Sequence, residues 1–123
     1  IAKNYIQSPT QSAFILDLVN NAIEDILRCE FVDVREHSEI KVNPILGFNH
    51  CHAPMSVFTL ERIAYSRDKK YLFFCEKGKR SSSLVQQLRD DGLTNTFSLK
   101  DGVEGLRIFL TKRKGDNTRD EEA

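Results

Sequence analysis

The sequence predicts an α/β domain: an open, mainly parallel five-stranded sheet with helices on both faces. Strand-like and helix-like segments alternate along the chain, and the four large apolar residues at 71–74 are typical of a strand buried on both sides. With 123 residues, the chain has the size of one domain that buries a core without disulfides or metals. We place this domain at residues 1–112 and expect the charged segment 113–123 to be a disordered tail.

The first half of the chain supplies three of the predicted strands. Residues 4–7 have a strand composition, and Thr10 is suited to cap a helix that carries Phe14 and Ile15 on its apolar face. That apolar face continues at Ile23 after a break. The later elements of this half are a strand at 30–34, a helical turn at 37–40, a short strand near 51–53 and a short helix at 59–65.

The second half supplies the most buried strand, at residues 71–74, which ends directly at Cys75. A helix over 82–91 follows, and then a last strand at 94–99 and a last helix at 103–112. In parallel sheets, ligands bind at the carboxyl ends of the strands, in the loops that lead into helices. Cys75 occupies such a position.

Composition excludes several classes of partner. Lys plus Arg equals Asp plus Glu, 18 against 18, so we expect neither a nucleic-acid partner nor an anionic membrane surface. The apolar runs are far shorter than the roughly 20 residues that span a bilayer. The three cysteines form no Cys-x-x-Cys pair, which favours a reducing, cytoplasmic location. The chain begins at Ile1 rather than Met, so we expect it to be a piece of a longer protein.

The loop that Cys75 opens has the composition of an anion cradle. Backbone N–H groups and the positive end of the following helix dipole favour the thiolate form of a cysteine placed there. Such a thiolate, ringed by N–H donors, is suited to a covalent intermediate that carries negative charge. The alternative is a buried structural cysteine before an ordinary basic turn. The other residues of this candidate substrate-binding loop are Glu76, Lys77, Gly78, Lys79, Arg80 and Ser81.

Three motifs in this order resemble the rhodanese-like sulfurtransferases. The pattern Cys-x-x-Gly-x-Arg-Ser at 75–81 matches their active-site loop, and residues 31–36 resemble their Asp-x-Arg strand end. Residues 95–103 resemble a strand that runs into a Gly-Gly-hydrophobic turn, with Asp101 in place of the first glycine. The segment 43–55 departs from the family's His-Ile-Pro-Gly-Ala turn. The resemblance implies a sulfurtransferase that carries sulfur as a Cys75 persulfide.

The length of the loop separates sulfur chemistry from phosphate chemistry. Rhodanese-like domains share their fold with cell-cycle dual-specificity phosphatases and some arsenate reductases. The phosphatase loops have five residues between Cys and Arg. Four residues separate Cys75 from Arg80 here, which favours sulfur transfer. A phosphatase or arsenate reductase remains the alternative enzyme, and a non-catalytic binding or regulatory module is the alternative of another class.

The resemblance also implies partners. We expect a small anionic sulfur donor, such as thiosulfate, or a protein that bears a persulfide. Rhodanese-like domains are often fused to E1-like adenylyltransferases that act on sulfur-carrier proteins, so a carrier protein or such a fused domain is a further expected partner. The mechanism requires no cofactor.

Charged residues beside the loop have two interpretations each. Asp33 and Arg35 either support catalysis or brace the end of their strand, and the second interpretation is the more common for charged strand ends. Arg80 either attracts an anionic donor or has a structural role, in which it bonds to carbonyls or to an acid within the fold.

The remaining cysteines and histidines give weaker signals. In a strand, His50 and His52 would share one face while Cys51 points to the other, so we predict no metal site there. Cys29 and Cys51 would resolve the persulfide into a disulfide only if the fold brought them close to Cys75.

Overall fold

The structure, a computed structural model, describes residues 14–16 and 23–111. Five strands form one sheet in the order β1-β5-β4-β2-β3, and every neighbouring pair is parallel. This arrangement confirms the predicted α/β class and five-stranded sheet. The strands are β1 (Ile15–Leu16), β2 (Glu30–Asp33), β3 (Cys51–His52), β4 (Tyr71–Phe74) and β5 (Thr96–Leu99).

Four α-helices lie among the described residues. They are α1 (Ile23–Leu27), α2 (His37–Val42), α3 (Lys79–Asp90) and α4 over residues 102–111. Two 3₁₀ turns, Met55–Val57 and Leu60–Ile63, lie between β3 and β4, so the short helix predicted at 59–65 has the tighter 3₁₀ form. None of the helices in the described part of the chain is both long enough and apolar enough to cross a membrane.

The prediction of a helix through Phe14 and Ile15 was wrong. Residues 15–16 form strand β1, which pairs with β5 through Ile15 opposite Ser98. The amide of Ser98 donates to the carbonyl of Phe14 at 2.8 Å, so this short apolar segment supplies hydrogen-bond partners for the edge of β5. A brief apolar run does not distinguish strand from helix by its periodicity. The strand predicted at 4–7 and the tail predicted at 113–123 lie outside the described residues.

The core lies on both faces of the sheet, as alternation along β4 shows. Tyr71 and Phe73 pack on the face that α3 covers, together with Leu84, Val85 and Leu88 of that helix. Leu72 and Phe74 pack on the opposite face. The buried residues that share this second cluster with them are Ile26, Cys29, Phe31, Ile45, Leu99, Val103, Leu106 and Phe109.

The central position of β4 determines where its loop lies. β4 is flanked by β2 and β5, and all four of its residues are buried. Because the strands are parallel, the carboxyl ends of β2, β4 and β5 meet at one edge of the sheet. The loop after β4 therefore lies between the loops that follow its two neighbours.

Candidate active site

Cys75 directly follows β4 and is only 1% exposed. Its Sγ accepts hydrogen bonds from the backbone N–H groups of Gly78 at 3.1 Å and Ser81 at 3.4 Å. The hydroxyl of Ser81 lies 3.6 Å from the same sulfur. Backbone N–H donors arranged around one sulfur stabilise negative charge on it, or on an atom attached to it.

The turn of the loop depends on Gly78, which precedes the first residue of α3. Gly78 has φ +96°, a left-handed conformation that L side chains rarely adopt. Its carbonyl accepts hydrogen bonds from the hydroxyls of Ser81 at 3.2 Å and Ser82 at 2.7 Å. This local geometry brings the Gly78 N–H around to point at the sulfur of Cys75.

The turn after β5 lies against the back of the same loop. Val103 N–H donates to the carbonyl of Cys75 at 2.9 Å. A Cβ on Gly102 would lie 2.3 Å from that same carbonyl oxygen, so only glycine fits there. Asp101, which replaces the first glycine of the family's turn, has φ +66° and is among the few non-glycine residue types that tolerate this region.

Asp33 and Arg35 form a buried ion pair beneath the loop. Both side chains are fully buried, and the guanidinium of Arg35 bonds to Asp33 at 2.9–3.2 Å. Arg35 also donates to the carboxylate of Glu76 at 3.2 Å, and the amide of Asn43 donates to its other oxygen at 2.9 Å. These bonds favour the bracing interpretation, because they hold the Glu76 carboxylate at Arg35 and Asn43.

Arg80 bonds to an acid within the fold. Its two terminal nitrogens donate to the two carboxylate oxygens of Glu39, at 2.7 and 2.5 Å. Glu39 also accepts from the backbone N–H of Glu36 at 2.9 Å, as half of the capping box that begins α2. The hydrogen bond from Arg80 lowers the pKa of Glu39 to about 2. Neither Glu39 nor Asn43 was predicted as a site residue, although the Glu-x-x-Glu spacing of the capping box was a local signal for Glu39.

A cavity of about 410 Å³ opens at the loop. The exposed side chains of Lys77 and Lys79 form no ion pair or hydrogen bond within the described ranges, in contrast to that of Arg80. The structure thus brings Cys75 and all of its predicted loop residues together, with Ser81 buried beneath the sulfur. The cavity is lined by Glu39, Cys75, Glu76, Lys77, Lys79 and Arg80.

The other two cysteines lie away from Cys75. Cys29 precedes β2, at the amino edge of the sheet, whereas Cys75 lies at the carboxyl edge. Cys51 is on β3, where it pairs with Val32 of β2. β3 lies two strands from β4, so Cys51 is at least roughly 10 Å from the line of β4 at the usual strand spacing. A disulfide needs Cα atoms within about 7 Å, so neither cysteine can resolve a Cys75 persulfide in this arrangement. Burial raises the pKa of both thiols.

The two histidines beside Cys51 are bonded to backbone carbonyls. His50 Nδ1 lies 2.7 Å from the Phe48 oxygen, and His52 Nε2 lies 2.8 Å from the Arg35 oxygen. Within residues 14–16 and 23–111, no three His, Cys, Asp or Glu side chains are grouped as a metal site would require. In the described structure these histidines secure the loop ends beside β3.

Comparison with known proteins identifies the class. The family model of the rhodanese-like domain matches residues 16–108, and the chain belongs to this family. It is 31% identical, over 77 residues, to the uncharacterized protein YqhL of Bacillus subtilis. That match covers 63% of this chain and 60% of YqhL, so the chain spans less than two thirds of that relative.

Two solved structures are similar to the chain. A rhodanese-related protein from Thermoplasma volcanium is 29% identical, with a TM-score of 0.55, and the match covers 72% of this chain and 83% of that one. A NAD-dependent persulfide reductase from A. fulgidus is 20% identical, with a TM-score of 0.56. That match covers 85% of this chain but 18% of the reductase, and it shows a shared fold.

Proposed function

We propose that the chain is a sulfurtransferase that carries a sulfane sulfur as a persulfide on Cys75. The observation that supports this most directly is the pair of backbone N–H groups, from Gly78 and Ser81, that donate to its Sγ. A persulfide places its negative charge on the outer sulfur, which the same small cradle would stabilise. Membership of the rhodanese-like family supports the same chemistry.

The transfer has two steps. The Cys75 thiolate attacks the outer sulfur of thiosulfate, an S–S bond forms at Sγ, and sulfite leaves with the electron pair of the broken bond. A nucleophilic acceptor then removes the outer sulfur, and the Cys75 thiolate is restored. With cyanide as acceptor, the product is thiocyanate.

We extend the proposal to partners and location. The physiological donor would be a small anionic sulfur compound or a persulfide-bearing protein, and the acceptor a sulfur-carrier protein presented by an adenylyltransferase domain. A reducing compartment such as the cytoplasm suits this chemistry, because the three described cysteines are free thiols.

The first prediction is that Cys75→Ser abolishes thiosulfate:cyanide sulfur transfer and leaves the thermal unfolding transition nearly unchanged. A serine hydroxyl is a far weaker nucleophile but fits the same space. Cys29→Ser and Cys51→Ser serve as matched controls and should retain activity. Sulfur transfer by the Cys75→Ser variant would contradict the assignment.

A phosphatase or arsenate reductase on the same fold is the competing enzyme. The four-residue spacing between Cys75 and Arg80 argues against it, because the loop is one residue shorter than a phosphatase loop. Hydrolysis of an aryl phosphate by the wild-type protein, at a rate above its sulfur transfer and lost in Cys75→Ser, would favour the competing function.

A further inference from the structure

We propose that Glu39 is a specificity-determining residue of the Cys75 site, because its carboxylate occupies Arg80 and so disfavours small dianionic sulfur donors. The donors it favours carry less negative charge, such as a thiosulfonate anion, in which an organic group replaces one charged oxygen of thiosulfate. This inference rests on the proposed sulfurtransferase function.

The guanidinium of Arg80 is fully engaged on the side that recognises anions. Both terminal nitrogens bond to one carboxylate in the two-pronged geometry that arginine also uses for oxyanions. Glu39 is itself held from behind by the Glu36 N–H, so its position is set by the start of α2. An incoming anion must therefore displace a fixed carboxylate before it can bind Arg80 in the same way.

Glu39 and Arg80 belong to the immediate surroundings of the sulfur. Both line the same 410 Å³ cavity as Cys75. The hydrogen bond to Glu39 raises the pKa of Arg80. The carboxylate of Glu39 and the reacting sulfur thus belong to one cavity.

Of the two carboxylates in the cavity, Glu39 is the one that determines whether an incoming anion can bind Arg80. The second carboxylate, on Glu76, is bonded to Arg35 and Asn43. The two lysines of the loop are exposed, so water and salt screen their attraction for an anion. A thiosulfate ion that approaches Cys75 therefore meets the neutral Arg80–Glu39 pair, and Arg80 offers it no free positive charge.

Two donors that differ by one charge isolate this effect. Thiosulfate has two negative charges and releases sulfite, whereas methanethiosulfonate has one and releases methanesulfinate. In both reactions the thiolate forms a bond to the outer sulfur, and the leaving group departs with the electron pair of the broken S–S bond. The persulfide produced on Cys75 is the same.

The test compares Glu39→Gln with wild type. The amide oxygen of glutamine can still accept from the Glu36 N–H, so the start of α2 is preserved while the charge is removed. Asp91→Asn is the matched control: it makes the same charge change in an exposed residue at the far end of α3, about 18 Å from the loop. Far-ultraviolet circular dichroism and thermal unfolding verify that both variants fold.

We expect Glu39→Gln to lower KM for thiosulfate by about three- to tenfold, with kcat changed less than about twofold. KM for methanethiosulfonate should fall by a smaller factor, and Asp91→Asn should change neither constant. The gain should disappear in the double variant Glu39→Gln/Arg80→Gln. An unchanged or higher KM for thiosulfate in Glu39→Gln, or an equal gain in Asp91→Asn, would overturn the inference.

A binding measurement separates this inference from the proposed function. Sulfate has the charge and the tetrahedral shape of thiosulfate but no sulfane sulfur to transfer. Its binding should slow the alkylation of Cys75 by iodoacetamide. We expect protection at lower sulfate concentrations in Glu39→Gln than in wild type. If this shift occurs but no donor places sulfur on Cys75, only the proposed function fails. If sulfur transfer occurs without any shift in sulfate protection or thiosulfate KM, only the role of Glu39 fails.

Discussion

At the scale of single residues, the site is controlled by close backbone contacts around Cys75. The N–H groups of Gly78 and Ser81 reach its sulfur from one side. On the other side, Val103 N–H bonds to its carbonyl, and Gly102 packs so closely that no side chain fits. The sulfur is thereby held by a backbone whose shape depends on glycines at particular positions.

Gly102→Ala should destabilise the protein by about 2–4 kcal/mol, because it adds a steric clash with the Cys75 carbonyl to the strain of a left-handed alanine. Gly47→Ala is the matched control. Gly47 also has positive φ, +70°, but a Cβ added there would meet no atom within 4 Å, so a loss of about 1 kcal/mol is expected. Urea unfolding measures both, and equal losses would show that the contact with Cys75 contributes nothing.

At the scale of elements, α2 is attached to the domain mainly by polar contacts. None of its residues is buried. Glu39 links it to Arg80 of α3, and Glu36 accepts from the hydroxyl and the N–H of Ser56. A short helix attached in this way depends on the ionisation of its carboxylates.

The contribution of the Glu39–Arg80 pair should therefore depend on pH. The pKa of Glu39 is lowered to about 2 in the folded protein, so the pair stabilises the fold above the ordinary carboxyl pKa of about 4.5 and loses its effect as pH falls towards 2. Since both side chains are partly exposed, we expect the free energy of unfolding of wild type to exceed that of Glu39→Gln by only about 0.2–1 kcal/mol at neutral pH. Urea unfolding of both proteins as a function of pH measures this difference. A difference that grew on acidification would contradict the pairing.

At the scale of the whole molecule, the described helices differ in whether they contribute buried side chains to the core, and α2 contributes none. α3 buries Leu84, Val85 and Leu88 against the face of the sheet that includes Phe73. α2 instead leaves Val42 86% exposed. Hydrophobic burial thus holds α3 against the sheet, whereas α2 contributes Glu39 to the lining of the cavity at Cys75.

The same substitution in these two helices should measure this division. Val85→Ala removes fully buried methyl groups and should cost about 1–3 kcal/mol. Val42→Ala removes exposed methyl groups, so the free energy of unfolding should change by less than about 0.5 kcal/mol. Urea unfolding compares the two variants directly, and similar losses would mean that α2 also carries core packing.

The α/β class, the central strand and the approximate position of α3 could be predicted from the sequence alone. These features depend on burial patterns within short segments, and the four apolar residues at 71–74 are such a pattern. The loop from Cys75 to Arg80 could also be predicted, because its motif is contiguous in the sequence. Strand β1 could not be predicted, since residues 15–16 form a strand only because they pair with the edge of β5.

The partners of the charged side chains could not be predicted from the sequence and are known from the folded structure. Arg80 bonds to Glu39 and Arg35 to Glu76, and each pair is separated by 41 residues along the chain. No local pattern contains such a pairing, because it depends on which loops meet at the carboxyl edge of the sheet. The sequence therefore identified Cys75 as the nucleophile. That Arg80 is paired with Glu39 follows from the packing of α2 against the start of α3.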